Sequence, residues 1–279
     1  KINFIWSIWR IMDRFDLHTH SSLSGGTLPP KALVAAAKAA GLGLMALTDH
    51  DCILGLVEAM EAGRELGVKV IPGLEIDTEH PAKLHMLGLD IDPANAELAV
   101  FAQENVLRRS RRGSAMVAQL EAAGVHILPH MPQSRGAMTR LHVAVALVAG
   151  GYAQSVNEAF QNYLRPGQAC YVHSRRIEPE AAIELIHRAG GLAVLAHPCK
   201  MNCDIHSLVD RLAKAGLDGI EAFYPTATPG QKAVHLSLAR QYCLLVSCGS
   251  DFHGENRAVS LGDAWEDDPA LIPIYERLA

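Results

Sequence analysis

The sequence predicts an α/β barrel of roughly seven or eight strands, closed or slightly irregular, interrupted by a helical excursion. Three observations lead there. Short apolar strands alternate with helices that stop at glycine, the rhythm of βα repeats. That rhythm breaks between residues 95 and 168, where long helical periodicity takes over. Four segments rich in imidazole and carboxylate each lie where an apolar strand runs out. They are Asp16-Leu17-His18-Thr19-His20, Leu47-Thr48-Asp49-His50-Asp51, Val194-Leu195-Ala196-His197-Pro198 and Gly249-Ser250-Asp251-Phe252-His253.

In chain order, residues 13–18 read as a strand, followed by a Ser/Gly loop with Pro29-Pro30 and a helix over 31–40 closed by Gly41. An apolar strand at 44–48, a helix over 54–66 ended by Gly67, and a strand over 68–76 follow. Residues 85–91 give one more strand. The excursion comprises a long helix over 95–123, with the basic run Arg108-Arg109-Ser110-Arg111-Arg112, and helices near 139–150 and 155–164. After Gly167 the repeats resume, with helices over 179–189, 208–215 and 231–241 and strands at 193–196, 219–223 and 244–248. The domain reading is a barrel of 13–94 and 169–279 with residues 95–168 laid over its mouth as a substrate lid. Residues 1–12 are read as a non-native or extended N-terminus, since Met12 stands just before the first strand.

Bulk properties narrow the class. Hydrophobic residues make up 49% and charged residues 20% of the 279, enough to bury a large core and too apolar for a disordered chain. A formal net charge of -5 argues against a general grip on duplex DNA. The six cysteines form no Cys-x-x-Cys pair, which fits a reduced, cytoplasmic setting. The apolar segment 4–11 is too short to span a bilayer, so no membrane partner is expected. The oligomeric state is left open. The 14 histidines are many for this length, and neutral imidazole is the commonest metal ligand.

In parallel α/β barrels the active site lies at the C-terminal strand ends, where these clusters fall. His18 and His20 lie two apart on extended backbone and point to one face, as do Asp251 and His253. Glu75 closes a strand and can bridge two ions; His85 opens the next strand, and His197 is stiffened by Pro198. Mixed imidazole and carboxylate donors suit zinc, manganese or iron, and two such ions close together favour hydrolysis.

The four segments, in this order and over nearly the whole chain from residue 13, resemble the PHP (polymerase and histidinol phosphatase) family of the amidohydrolase superfamily. The resemblance implies a distorted (β/α)7 barrel with up to three metal ions. His18, His20, Glu75 and Asp251 would hold the first ion and Glu75, His85 and His197 the second. His50 and His253 would share the third with an aspartate expected at position 25. Gly25 stands there, so two divalent ions, Mn2+ foremost with Zn2+, Fe2+ or Mg2+ as alternatives, are the expected complement.

Met138-Thr139-Arg140-Leu141-His142, Tyr163-Leu164-Arg165-Pro166-Gly167 and Tyr171-Val172-His173 resemble one branch of the family. That branch holds 3′,5′-nucleotide bisphosphate phosphatases and 5′→3′ exoribonucleases, which implies a nucleotide or short single-stranded RNA as substrate. Catalytic roles then fall to Asp251, His197 and Arg140. Arg140, His142, His173 and Lys200 would bind substrate, Arg140 gripping phosphate with its bidentate fork. A histidinol-phosphate-type phosphatase and a non-catalytic metal-binding module stand as alternatives. The run from Arg108 to Arg112 reads as a solvated helix face, with a phosphate role left open by its place in the excursion, Asp49 and Asp51 as partners that orient His50, and Cys199 and Cys203 as ordinary thiols. His80, His126, His187, His206 and His235 read as structural or surface residues.

Overall fold

Strands buried on both faces are the mark of a sheet wrapped in helices, and every residue of three strands in this chain is buried. The structure, a computed structural model, describes residues 12–132 and 138–279. Of the N-terminal stretch read above as a separate extension, residues 1–11 lie outside the described residues.

The elements run β1 (Phe15–Thr19), α1 (Pro30–Ala39), β2 (Leu44–Leu47), α2 (Leu56–Leu66), β3 (Lys69–Asp77), β4 (His85–Leu89), α3 (Ala96–Ala122), α4 (Arg140–Ala149) and α5 (Val156–Ala159). They continue as α6 (Pro179–Arg188), β5 (Leu192–Leu195), α7 (Ile205–Lys214), β6 (Gly219–Phe223), α8 (Pro229–Tyr242), β7 (Leu245–Cys248) and α9 (Ile272–Leu278). The seven strands pair in sequence order. Past the ends of β7 and β1 the ring nearly closes, through Asp251 N–H to His18 O at 2.8 Å and His20 N–H to Phe252 O at 3.0 Å. The expected distorted seven-stranded barrel is what forms. The C-terminal helix α9 was not among the expected elements.

The strands are not all parallel. β4 pairs antiparallel with both β3 and β5. This reversal explains why His85, the first residue of β4, shares a mouth with residues at the ends of the other strands. It also leaves the chain at the opposite end of the barrel after Leu89. The 27-residue α3 then carries it back, spanning about 40 Å. Asn95 caps this helix by accepting from Leu98 N–H.

Two apolar cores result. The larger fills the barrel and the space beneath its helices, with Phe15, Leu47, Ile76, Leu87 and Phe223 fully or almost fully buried. The second joins Met116, Val117 and Leu120 of α3 to Val143 and Leu147 of α4 and to Leu164 and Cys170. The buried stripe of α3 serves both, with Leu98 in the first core and Met116 and Leu120 in the second. No helix among the described residues is long and apolar enough to cross a membrane.

His235, on the inner face of α8, is 3% exposed, and burial pushes its imidazole down to about 4. The unfolded chain accepts a proton there near the ordinary value of 6.5, which the folded chain refuses. Stability from this residue is therefore complete above the unfolded value and falls with pH down to about 4, by on the order of 3 kcal/mol. His235→Leu is expected to flatten the acid limb of the urea-unfolding free energy between pH 7 and 4.5. Parallel limbs for the two proteins would refute this.

Candidate metal centre

The barrel mouth is organised from β6 as much as from the histidine-bearing strands. Glu221, buried at the inner face of β6, accepts from His18 Nδ1 at 3.0 Å and from His197 N–H at 2.6 Å. With Nδ1 engaged, His18 turns Nε2 to the centre. His20 is fixed from the other side. Its Nδ1 lies 3.3 Å from Ser24 Oγ, and Ser24 in turn donates to Asp49 Oδ1 at 2.5 Å. Asp49 also accepts from Ser21 N–H and Ser21 Oγ. The structure therefore corrects the role given to Asp49, which fastens the loop under His20 instead of orienting His50.

Glu75 is the hub. Its Oε1 accepts from His85 Nδ1 at 2.7 Å and His197 Nε2 at 2.9 Å. Its Oε2 lies 2.9 Å from His50 Nδ1, 3.2 Å from His20 Nε2 and 3.3 Å from His18 Nε2. Asp251 faces it, with Oδ1 3.2 Å from His20 Nε2 and 3.6 Å from His18 Nε2. The other oxygen of Asp251 accepts from Tyr224 OH at 2.9 Å, Lys200 Nζ at 3.0 Å and Arg257.

Backbone strain accompanies this convergence. Asp51, His197 and Asp251 sit at φ 48°, 29° and 55°, where a Cβ costs about 1–3 kcal/mol each. Gly249, beside Asp251, meets the opposite demand. A Cβ there would overlap His18 Cβ and Glu221 Oε1, so only glycine lets the end of β7 close on β1.

The donor set fits divalent metal. His18, His20, Glu75 and Asp251 bring one donor atom each within 4.8 Å of one another, the set expected for the first ion. His50, Glu75 and His85 form a second group, and His20, His50 and His253 a third. The second differs from the expected Glu75, His85 and His197. His50 has moved into it, while His197 stays on Glu75 Oε1. Buried His18 Nε2, His20 Nε2, His50 Nδ1, His197 Nδ1 and Glu75 Oε2 have no hydrogen-bond partner although several nearly touch. Folded proteins rarely tolerate so many unsatisfied polar atoms in one place, and an electrophile among them accounts for those of His18, His20, His50 and Glu75.

Charge gives the same answer. Burial raises and the surrounding His50, His85 and His18 lower the Glu75 carboxyl, which ends well below its ordinary range. Burial opposes a proton on His85, yet Glu75 and Asp77 lift it to about 10. For His18 and His20 too, the carboxylates overcome burial and raise the imidazole. Burial dominates at His253, which falls to about 2, and it also lowers His50 and His197. The cluster thus demands positive charge at its centre. Cations answer that demand while leaving the imidazoles neutral, the form in which they ligate.

Two cavities open beside this cluster and share His50 and Arg257. One, about 390 Å³, is lined by Arg109, Arg140, Phe160 and His253; the other, about 360 Å³, by Lys83, His85, His197 and Lys200. Arg140 stands 5.6 Å over the Phe160 ring, at the start of a π-helical turn, and has no acidic partner among the described residues. His142 lines neither cavity. Its Nδ1 accepts from Thr139 N–H at 3.0 Å and caps α4, so the structure gives it a different duty from the substrate contact expected. His173 lines a separate groove along α3. Lys200 spans Asp251 and the Tyr224 ring, 4.4 Å from its centroid.

Sequence reasoning missed several residues here. Arg109 is not on a solvated face. It extends the stripe of Leu98, Ala102, Asn105, Gly113 and Met116, and turns into the mouth. There it donates to Asp51 Oδ2 from Nε at 2.9 Å and Nη2 at 2.5 Å, while Asp77 takes Arg176 Nε at 2.9 Å. Asp51 thus anchors α3 and does not orient His50. Glu221 was legible as an acid inside the apolar strand Gly219–Phe223. Tyr224 and Arg257 carried no signal in the sequence.

With this geometry in hand, comparison with known proteins is decisive. A family model for the PHP domain matches residues 16–165. The chain belongs to the PHP-domain family. A 5′-3′ exoribonuclease of Haemophilus influenzae is 33% identical over 95% of this chain and 98% of its own length. A 3′,5′-nucleoside bisphosphate phosphatase of Chromobacterium violaceum is 33% identical over 96% and 97%. A solved amidohydrolase from the latter organism aligns with a TM-score of 0.85 and 33% identity over 95% of both chains. One from Bifidobacterium adolescentis, inferred to be a metal-dependent phosphoesterase, aligns at 0.80 and 29% over 95% and 96%. This PHP protein is a metal-dependent phosphoesterase, a hydrolase acting on phosphate esters.

Two measurements probe the centre. Glu221→Gln keeps the shape but loosens His18 and His197, and is expected to weaken metal binding roughly 10- to 100-fold in a chelator competition. An unchanged affinity would remove Glu221 from the site. A Cβ on Gly25 would lie 3.4 Å from His253 Cδ2 and 3.6 Å from Nε2, ordinary contact distances. Gly25→Asp therefore adds a carboxylate beside His50 and His253 without a clash, and elemental analysis should show more metal per chain than in the parent. Equal metal content would show that position 25 does not limit occupancy.

Proposed function

We propose that this chain removes the 3′-phosphate from nucleoside 3′,5′-bisphosphates to give 5′-nucleotides. By breaking the same bond between ribose O3′ and phosphorus, it shortens 5′-phosphorylated short RNA from its 5′ end. One observation carries the reading. Arg140 forms no ion pair with an acid among the described residues, and it lines a cavity that shares His50 and His253 with the metal-binding cluster. A guanidinium withdrawn from water calls for an anion, and a 5′-phosphate one ribose away from the reacting phosphorus supplies it. The names of the two relatives above point to the same pair of substrates.

Metal ions held by His18, His20, Glu75, Asp251, His50, His85 and His197, manganese foremost, supply Lewis acidity and an activated water. The protein residues do the rest. Glu221 and Glu75 hold His18 and His197 in their ligating orientation. Arg140 fixes the 5′-phosphate in a bidentate grip, and Arg109 and Arg257 beside it lower the cost of charge on the transferring phosphoryl oxygens. Phe160 and Leu141 give the cavity an apolar wall for the nucleoside. Tyr224, whose phenol burial and Asp251 hold far above its ordinary range, stays protonated and keeps Asp251 aimed.

In this reading residues 95–168 are the substrate lid, seated on a barrel of 13–94 and 169–279. Six unpaired cysteines support a reducing, cytoplasmic setting. A net charge of -5 gives no purchase on duplex DNA.

Phosphate release from adenosine 3′,5′-bisphosphate with added Mn2+ tests the proposal. Turnover should vanish when His18→Ala and His20→Ala are combined. Arg140→Lys should cut kcat/KM roughly 10- to 100-fold on the bisphosphate and much less on adenosine 3′-phosphate, which offers no 5′-phosphate. Activity no higher than that of the double variant, or a faster rate on histidinol phosphate, would overturn it.

A further inference from the structure

Away from both cavities a third concavity, about 600 Å³, runs along α3 opposite the 172–175 segment. Four arginines line it, Arg108, Arg111, Arg112 and Arg175, against one acid, Glu104, in a chain whose net charge is -5. Such local concentration against the overall sign is the footprint of a polyanion site.

The four side chains fall into two kinds. Arg108 and Arg112 are built in. Arg108 donates to the Arg175 carbonyl, and Arg112 Nε donates to Val172 O at 2.7 Å with its guanidinium 5.4 Å from the Tyr171 ring centroid. Each retains a buried N–H group without a partner. Burial, with Arg140 and Arg176 nearby, pushes the Arg112 guanidinium down to about 10 against the opposing pull of Asp77. Arg111 and Arg175, in contrast, are exposed and have no acidic partner among the described residues.

Position matters as much as charge. Arg108 also reaches toward the mouth, with Nη2 3.7 Å from Asp51 Oδ2, one residue from His50. The groove therefore begins one guanidinium away from the metal-binding cluster. Its lining on α3 runs from Glu104 to Ala115, about 16 Å of helix. That is too long for a single phosphate and suits consecutive ones. Leu107 and Val172 add an apolar floor, and His173 a ring on which a base can stack.

We propose that this groove is the track for the RNA strand downstream of the bond being broken. The inference rests on the function proposed above. In a diester the reacting phosphorus carries the remaining chain, which must leave the mouth along some surface. The groove gives that chain phosphate contacts through Arg111 and Arg175 and base contacts through His173. A mononucleotide bisphosphate ends at the mouth and never reaches them.

The experiment compares the parent with the double variant Arg111→Glu, Arg175→Glu, both at exposed positions. One arm measures kcat/KM on 5′-phosphorylated oligoribonucleotides of increasing length and on adenosine 3′,5′-bisphosphate. The other measures anisotropy of a 3′-fluorescein, 5′-phosphorylated hexaribonucleotide with no metal added. The ratio of RNA to bisphosphate kcat/KM should rise with length in the parent and fall at least tenfold in the variant. The slope of log affinity against log salt should shrink by about 1.4, two single-strand phosphate contacts at about 0.7 each. Equal losses on both substrates, an unchanged anisotropy affinity, or displacement of the RNA by polyglutamate at equal charge concentration would overturn the track. Groove-dependent RNA binding without hydrolysis of either substrate would leave the groove an RNA-binding surface and sink the proposed function, and the track with it. Bisphosphate hydrolysis with no groove-dependent RNA binding would sink the track alone.

Discussion

One carboxylate organises this molecule. Glu75, with no exposed surface, stands within 3.3 Å of nitrogen atoms from His18, His20, His50, His85 and His197. Those five imidazoles arrive on strands or strand ends from β1, β2, β4 and β5, so the ring of the barrel must be nearly complete before the cluster exists. The cost of assembling it is visible in three left-handed non-glycine residues around the mouth. Such strain persists only where surrounding structure over-determines it. Here the buried strands and Glu221 do so.

The fold was legible in the sequence because its signals are local. Glycine stops after α2, short apolar strands and imidazoles at strand ends each report on a few neighbouring residues, and they placed β6 at Gly219–Phe223 as found. Strand direction is not local. Nothing in His85–Leu89 says that it runs backwards; pairing with β3 and β5 decides that. The metal-binding cluster was legible for the same reason as the strands, since most donors follow a buried apolar run.

What escaped were residues whose roles depend on distant partners. Asp49 was paired in expectation with its sequence neighbour His50, whereas it reaches 28 residues back to Ser21. The basic run on α3 read as a solvated face because it was weighed as one block of charge. The helix period nevertheless singles out Arg109 in the apolar stripe, and a count in steps of three and four would have found it. His142 was placed with Arg140 by the motif they share, yet its ring caps the helix it belongs to.

The reversal of β4 has a last effect, on how the helical segment after it is held. Because the chain leaves the barrel at its far end, the helical segment that follows is not hung from two loops at the rim. On one side it grows out of a continuous rod already packed against the wall and pinned at mid-length by the Arg109–Asp51 pair. Braced in that way, the start of the segment is fixed to the barrel wall. Arg109 lines its cavity from a helix so held.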